Sequence, residues 1–149
     1  MSKKYNNLSK ISLLVFLVGF FVHLLWEIAQ MPLYTCGTLP FVEILPKLLL
    51  ATFGDGAIMV LFYLVGVWKN KDSKWISRMK KRDYYIILVL GFIIAVIIEL
   101  SNVQIMQRWD YTSLMPVIPI LNVGLVPIIQ LMVLPFIVFF IVRNMSIYK

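Results

Sequence analysis

His23, Glu27, Asp55, Glu99 and Gln130 stand singly or in pairs inside four long apolar stretches. An ionisable group in hydrocarbon costs at least a few kcal/mol, which marks it as functional by default. His23 and Glu27 are spaced i,i+4, and Glu99 and Asn102 i,i+3, so on helices each pair shares one face. An imidazole among three carboxyl groups is the equipment of acid–base chemistry. No Lys or Arg is expected at their depth. Three ionised acids around one imidazole would then repel prohibitively in a low dielectric. Three arrangements relieve this. One or more acids stay protonated, giving a Brønsted acid in an apolar pocket. A metal cation sits between His23, Glu27, Asp55 and Glu99, although no second histidine and no H-x-x-x-H spacing accompanies them. Or water fills a cavity and forms part of a transport path. The purely structural alternative is a set of interhelical hydrogen bonds, with His23 and Glu99 as a pair. Packing needs one or two such groups rather than five.

Membrane helices must position these residues. The chain has 149 residues, 61% hydrophobic and 14% charged, which excludes an ordinary soluble domain. A helix needs about 20 residues to cross hydrocarbon, and the apolar runs supply spans at about 11–31, 47–68, 84–105 and 120–142. The expected fold is all-α: one polytopic, four-transmembrane-helix bundle over residues 1–149, with no internal repeat. Of the 14 Lys and Arg, 12 fall on one side: Lys3, Lys4 and Lys10, the loop from Lys69 to Arg82, then Arg143 and Lys149. Lys47 and Arg108 fall on the other. That asymmetry places both termini in the cytoplasm, N-in and C-in. The net charge of +7 is thus a topology signal. The basic loop suits anionic lipid headgroups, and nothing beyond charge supports nucleic-acid binding. At a rise of about 1.5 Å per residue, the five polar residues lie about 18 to 24 Å above the cytoplasmic ends of their helices. They form one layer, slightly outside the midplane.

The flanking residues bear on that layer. Gly19 permits close helix approach on the His23 face. Gly54 and Gly56 bracket Asp55, suiting a neighbouring backbone or a ligand pressed against the second helix. Pro127 and Pro135 are expected to interrupt the fourth helix around Gln130 and widen a pocket there. The outer loops, about 31–46 and 105–119, are rich in proline and aromatics. Trp109 and Tyr111 either anchor the membrane interface or form a stiff lid, with Arg108 paired to Asp110 or reading an anionic group. The first run has the basic start of a signal peptide, but no A-x-A-like site follows it. Cys36 is the lone cysteine, which excludes an intrachain disulfide.

In these residues the chain resembles a small uncharacterised bacterial four-helix integral membrane protein family. The likeness is carried by His23 through Tyr34 (HLLWEIAQMPLY), Gly54-Asp55, Glu99 with Asn102, Trp109-Asp110-Tyr111, Met115-Pro116, Pro119, Gly124 and Pro127 through Gln130. It covers most of the chain and implies an architecture and the bacterial cytoplasmic (inner) membrane, without an activity. Two further likenesses imply chemistry. The H-x-x-x-E of His23 and Glu27 is similar to that of emopamil-binding, sterol-isomerase-type domains, which protonate a double bond. Trp109, Tyr111, Gly124 and Pro127 resemble the W-x-Y, glycine and P-x-E-E pattern of lycopene-cyclase-type domains. Ile129 and Gln130 stand where that pattern has acids, which puts a cyclase activity in doubt.

The resulting expectation is an enzyme acting on a lipid or isoprenoid entering laterally from the outer leaflet. Glu27 or Glu99 is the general acid, His23 its partner or base, and Asp55 stabilises developing positive charge. Asn102, Gln130, Trp26, Trp109, Tyr111 and Arg108 contact substrate. A non-catalytic subunit binding a lipid or cofactor, or a homo-oligomeric proton, cation or solute transporter, are the alternatives. No motif points to a particular cofactor. The expected partners are membrane lipids, a hydrophobic small molecule and a second copy of the chain.

Overall fold

The computed structural model describes residues 2–145, with residues 2–6 described by backbone alone. Helix α1 runs Ser2–Gln30, α2 Phe41–Asn70, α3 Lys81–Glu99 and α4 Leu125–Asn144. A π-helical stretch, Leu100–Ile105, prolongs α3. Segments Asn7–Leu33, Phe41–Asn70, Lys81–Ile105 and Leu125–Asn144 are long and apolar enough to cross a membrane. Their outer shell is apolar as well: Phe21, Leu25, Leu50 and Trp68 are all well exposed. A surface of that kind suits lipid as the solvent, and backbone hydrogen bonds closed within each helix meet the same demand.

Helix order around the bundle is α2, α1, α4, α3, and α2 scarcely touches α3. Small residues set the close approaches. A β-carbon on Gly19 would come within 2.9 Å of Met59 Cγ, and one on Gly56 within 3.0 Å of the Phe16 ring. Gly91 is stricter, because a β-carbon there would collide with the Leu131 carbonyl. That carbonyl lies four residues before Pro135, which cannot donate to it. The oxygen freed by Pro135 and the bare backbone of Gly91 therefore occupy the same seam between α3 and α4.

The basic end holds an aromatic core, beside a second cavity of about 170 Å³ lined by Ile76, Met79, Tyr84, Phe136, Phe139 and Arg143. Met59, Phe62, Tyr63, Trp75, Ile76, Val138 and Phe139 are fully or almost fully buried there. Trp75, on a short 3-10 turn (Trp75–Arg78), wedges against Gly66 and stands edge-on to Phe139 at 5.4 Å. Its Nε1 donates to the Tyr63 carbonyl at 3.1 Å. Asp83, buried in the first turn of α3, accepts from Lys69, from Asn70 Nδ2 at 3.1 Å and from the Lys80 amide at 2.7 Å. One carboxylate thereby ties α2, the basic loop and α3 together.

Several expected boundaries shift. α1 starts at Ser2, so Lys10 lies within the helix; the side chains of Lys3 and Lys4 and all of Lys149 lie outside the described residues. α2 starts at Phe41, six residues before the expected 47, with Pro46 inside it. α4 starts at Leu125 rather than about 120. Residues expected to open that helix form a small hairpin instead, β1 (Val117–Ile118) pairing antiparallel with β2 (Val123–Gly124). Asn122 turns it with φ of 51°, a conformation asparagine tolerates better than most residues. Pro127 consequently falls in the first turn of α4, where its missing N–H has no partner to lose. Pro135 alone interrupts the ladder.

Candidate functional site

Four of the five buried polar residues meet directly, and Gln130 is their hub. Its Nε2 lies 2.9 Å from His23 Nδ1, donates to Glu27 Oε1 at 3.0 Å and lies 3.3 Å from Asp55 Oδ2. Its Oε1 accepts from Gln30 Nε2 at 3.0 Å, and Gln30 in turn accepts from Trp26 Nε1 at 3.1 Å. Helices α1, α2 and α4 are joined at one amide. The amide has two hydrogens for these three neighbours. His23 Nδ1 and Asp55 Oδ2 themselves lie 3.3 Å apart. His23 is fully buried, and its Nε2 has no partner.

Glu99 forms a second centre. It accepts from the Tyr111 hydroxyl, which itself accepts from the Gly124 amide at 2.8 Å. A β-carbon on Gly124 would press on Tyr111 and Met115 at 3.1 Å, so glycine gives the phenol its seat. Trp109 Nε1 is buried beside the same carboxylate without hydrogen-bond geometry to it. Burial, reinforced by Glu99, holds the Tyr34 and Tyr111 phenols above their ordinary range. Tyr111 is therefore a donor at every pH near neutrality.

The two centres face one cavity of about 310 Å³. Glu27, Asp55 and Gln130 contribute from one side, Glu99, Asn102 and Trp109 from the other. Most of the remaining wall is aliphatic, including Leu48, Ala51, Ile58 and Ile98. It lies where α2 and α3 part. Leu50 belongs both to its wall and, at 72% exposure, to the outer surface of the bundle. Asn102 sits in the π-helical stretch, whose widened turn is a recurrent feature of functional sites. There its Nδ2 donates back to the Ile98 carbonyl at 2.8 Å and its Oδ1 turns to Arg108.

The outer loops do form a lid. Tyr34 and Tyr111 make an isolated antiparallel bridge, flanked by Thr35 N–H to the Asp110 carbonyl and Thr112 N–H to the Leu33 carbonyl, each 3.0 Å. Tyr34 packs on Trp109 and Tyr111 with ring centres 6.4 and 5.7 Å away.

Four expectations need correction. His23 pairs with Gln130 and Asp55 rather than with Glu99. Arg108 turns to Asn102 Oδ1 at 3.5 Å, whereas Asp110 accepts from the Tyr111 amide. His23, Trp26 and Tyr111 stand behind the cavity wall and hold residues that line it. Finally, among the described residues no three His, Cys, Asp or Glu side chains are grouped to hold a metal; the Gln130 amide occupies the space between the His23, Glu27 and Asp55 donors. Sequence reasoning also missed Gln30, Lys47 and Tyr34 as cavity residues. Gln30 carried a signal: with His23 and Glu27 it completes an i, i+4, i+7 face.

This is a protein of four helices long and apolar enough to cross a membrane, with a largely apolar cavity that carries acid groups beneath an aromatic lid. No protein-family model matches the chain, and no curated protein or solved structure matches it significantly.

Proposed function

We propose that the chain is an integral membrane enzyme that moves a proton on a lipid or isoprenoid substrate. The observation that carries this reading is two acid centres on facing sides of one largely apolar cavity, each already fitted with its own hydrogen-bond partners. An acid-form Glu99 gives its proton to one carbon of a double bond, leaving a carboxylate and a carbocation. Glu27, across the cavity, takes a proton from the carbon on the far side of the cationic centre, so the double bond has moved one place. The substrate's proton count is unchanged, and exchange with solvent returns the proton from Glu27 to Glu99 before the next turnover. Asp55 offsets the transient positive charge, and His23 holds Asp55 in place. Tyr111 supports Glu99 in its ionised form by donating to it. The gap between α2 and α3 admits a hydrocarbon chain sideways, from the half of the bilayer away from the basic end. The excess of basic residues at that end supports an N-in, C-in orientation, and the family likeness supports a bacterial cytoplasmic membrane.

A transport path is disfavoured by the aromatic core at the basic end, where Phe62, Tyr63, Trp75 and Phe139 are buried and, among the described residues, the cavity does not reach. The hub at Gln130 favours one second reading, a lipid-binding assembly subunit, because hydrogen bonds joining three helices stabilise a scaffold whether or not chemistry follows. Incubating purified protein in D₂O with total membrane lipid separates the two. The enzyme reading expects a lipid or isoprenoid that gains one deuterium and a shifted double bond, and expects both to vanish in Glu99→Ala and Glu27→Ala. If no lipid gains deuterium over the no-protein control, the enzyme reading fails.

A further inference from the structure

The mouth of the cavity carries the charge that its interior lacks. Lys47 on α2 and Arg108, just past the π-helical stretch, both line the cavity and both are exposed. Among the described residues neither has a carboxylate within ion-pair distance. Arg108 has a 3.5 Å contact to a neutral amide oxygen, which leaves most of its five donors free. The acids inside are engaged elsewhere, Glu27 and Asp55 by Gln130 and Glu99 by Tyr111. Glu43, one turn further out on α2, is not part of the wall. From Lys47 to Asp55 is eight residues of one helix, or about 12 Å along its axis. Between them the wall is Leu48, Ala51 and their apolar neighbours. The cavity thus runs from a cationic mouth through an aliphatic middle to a polar floor.

We propose that this cavity takes an amphiphile with one anionic headgroup, a carboxylate or a phosphate, held at the mouth by Lys47 and Arg108. Its hydrocarbon tail points inward. The inference rests on the enzyme reading for its consequence: with the polar floor at Asp55 about 12 Å along the helix from Lys47, the acid–base groups meet the tail, not the head itself. Charge-assisted contacts of Arg and Lys to such a group are the strong kind of hydrogen bond, and here they sit at the depth where a lipid headgroup meets water.

The test uses the full chain in a neutral detergent with cis-parinaric acid, whose fluorescence rises in an apolar site, and its methyl ester as the uncharged twin. The acid binds at least about tenfold more tightly than the ester. The double variant Lys47→Gln, Arg108→Gln loses that preference while ester binding, which reports an intact cavity, is unchanged. Equal binding of acid and ester, a preference that survives the double variant, or failure of both probes to bind would each overturn the proposal. Displacement of the probe by farnesyl monophosphate alone assigns the phosphate-headed class, and displacement by oleate alone the carboxylate-headed class. Glu99→Gln keeps the acid preference. Acid selectivity without deuterium transfer therefore overturns the enzyme reading alone, and deuterium transfer without acid selectivity overturns this one alone.

Discussion

At the basic end of the bundle a carboxylate is buried with a lysine beside it; at the other end three carboxyl groups lie within the protein and the cations stay out at the rim. Asp83 accepts from three donors of α2 and the loop and is almost fully buried. Glu27, Asp55 and Glu99 are held by neutral amide and phenol donors, and they look onto empty volume. The first arrangement fixes three segments and leaves its carboxylate no free face. The second tolerates an unmatched proton count and an unpartnered imidazole nitrogen, which are costs that packing alone does not explain. Stability is thus concentrated at one end and chemistry at the other.

Mutations at the two ends should separate on that line. Asp83→Ala has the largest expected effect on folding, a loss of about 3 kcal/mol, the lower part of the range for breaking a buried ion pair. Lys69 is partly exposed and can turn to solvent, which keeps the cost from rising further. Denaturant unfolding of the detergent-solubilised protein measures it. Deuterium transfer per folded molecule should be unchanged. An Asp83→Ala protein as stable as the parent would erase the distinction between the ends.

Gln130→Leu is expected to cost about 2 kcal/mol, since it strands polar groups on His23, Glu27 and Asp55 that cost roughly 1–3 kcal/mol each when unpaired. The sum is not reached because water can enter the adjoining cavity and satisfy some of them. Unlike Asp83→Ala, it should also abolish deuterium transfer, because Glu27 and Asp55 lose the group that spaces them. A variant destabilised but fully active would reduce the hub to scaffolding.

Depth proved easier to read from the sequence than pairing. The rise of a helix is rigid, so counting residues from the basic end was enough to bring His23, Glu27, Asp55 and Gln130 to one level. Spacing likewise placed Gly19 and Gly56 at a close approach. Which helix stands beside which is decided by packing: the Gly91–Leu131 seam joins α3 to α4 and leaves α3 away from α2. For that reason Glu99 meets Tyr111 and the lid instead of His23. Hydropathy could not separate the hairpin, with its turn at residues 120–122, from the start of a helix, since a short apolar run has no period to distinguish them. The lid rests on a bridge between Tyr34 and Tyr111, a pairing across 77 positions that no local pattern announces.

Tyr111→Phe sharpens the comparison within the polar end. It removes a donor from Glu99 and an acceptor from the Gly124 amide, for an expected cost of about 1–3 kcal/mol. Thermal unfolding followed by circular dichroism should show the loss, with slower deuterium transfer because ionised Glu99 has lost its support. Equal stability of Tyr111→Phe and the parent would mean that the second acid centre is loosely held.

The smallest effects should come from the two tryptophans, and their order is informative. Trp26 Nε1 donates to Gln30, which donates to Gln130, so Trp26 acts on the cavity through two intermediaries. Trp26→Phe loses one hydrogen bond, worth about 0.5–1.5 kcal/mol, and most of the packing area is retained. Trp109 Nε1 has no partner to lose, so Trp109→Phe should change stability by less than Trp26→Phe although Trp109 lines the cavity and Trp26 does not. Substrate binding should show the reverse order, with the apparent KM raised in Trp109→Phe and unchanged in Trp26→Phe. If Trp26→Phe were the one to alter KM, the wall residue and the residue behind it would have exchanged roles, and the cavity would extend past Gln30 towards α1.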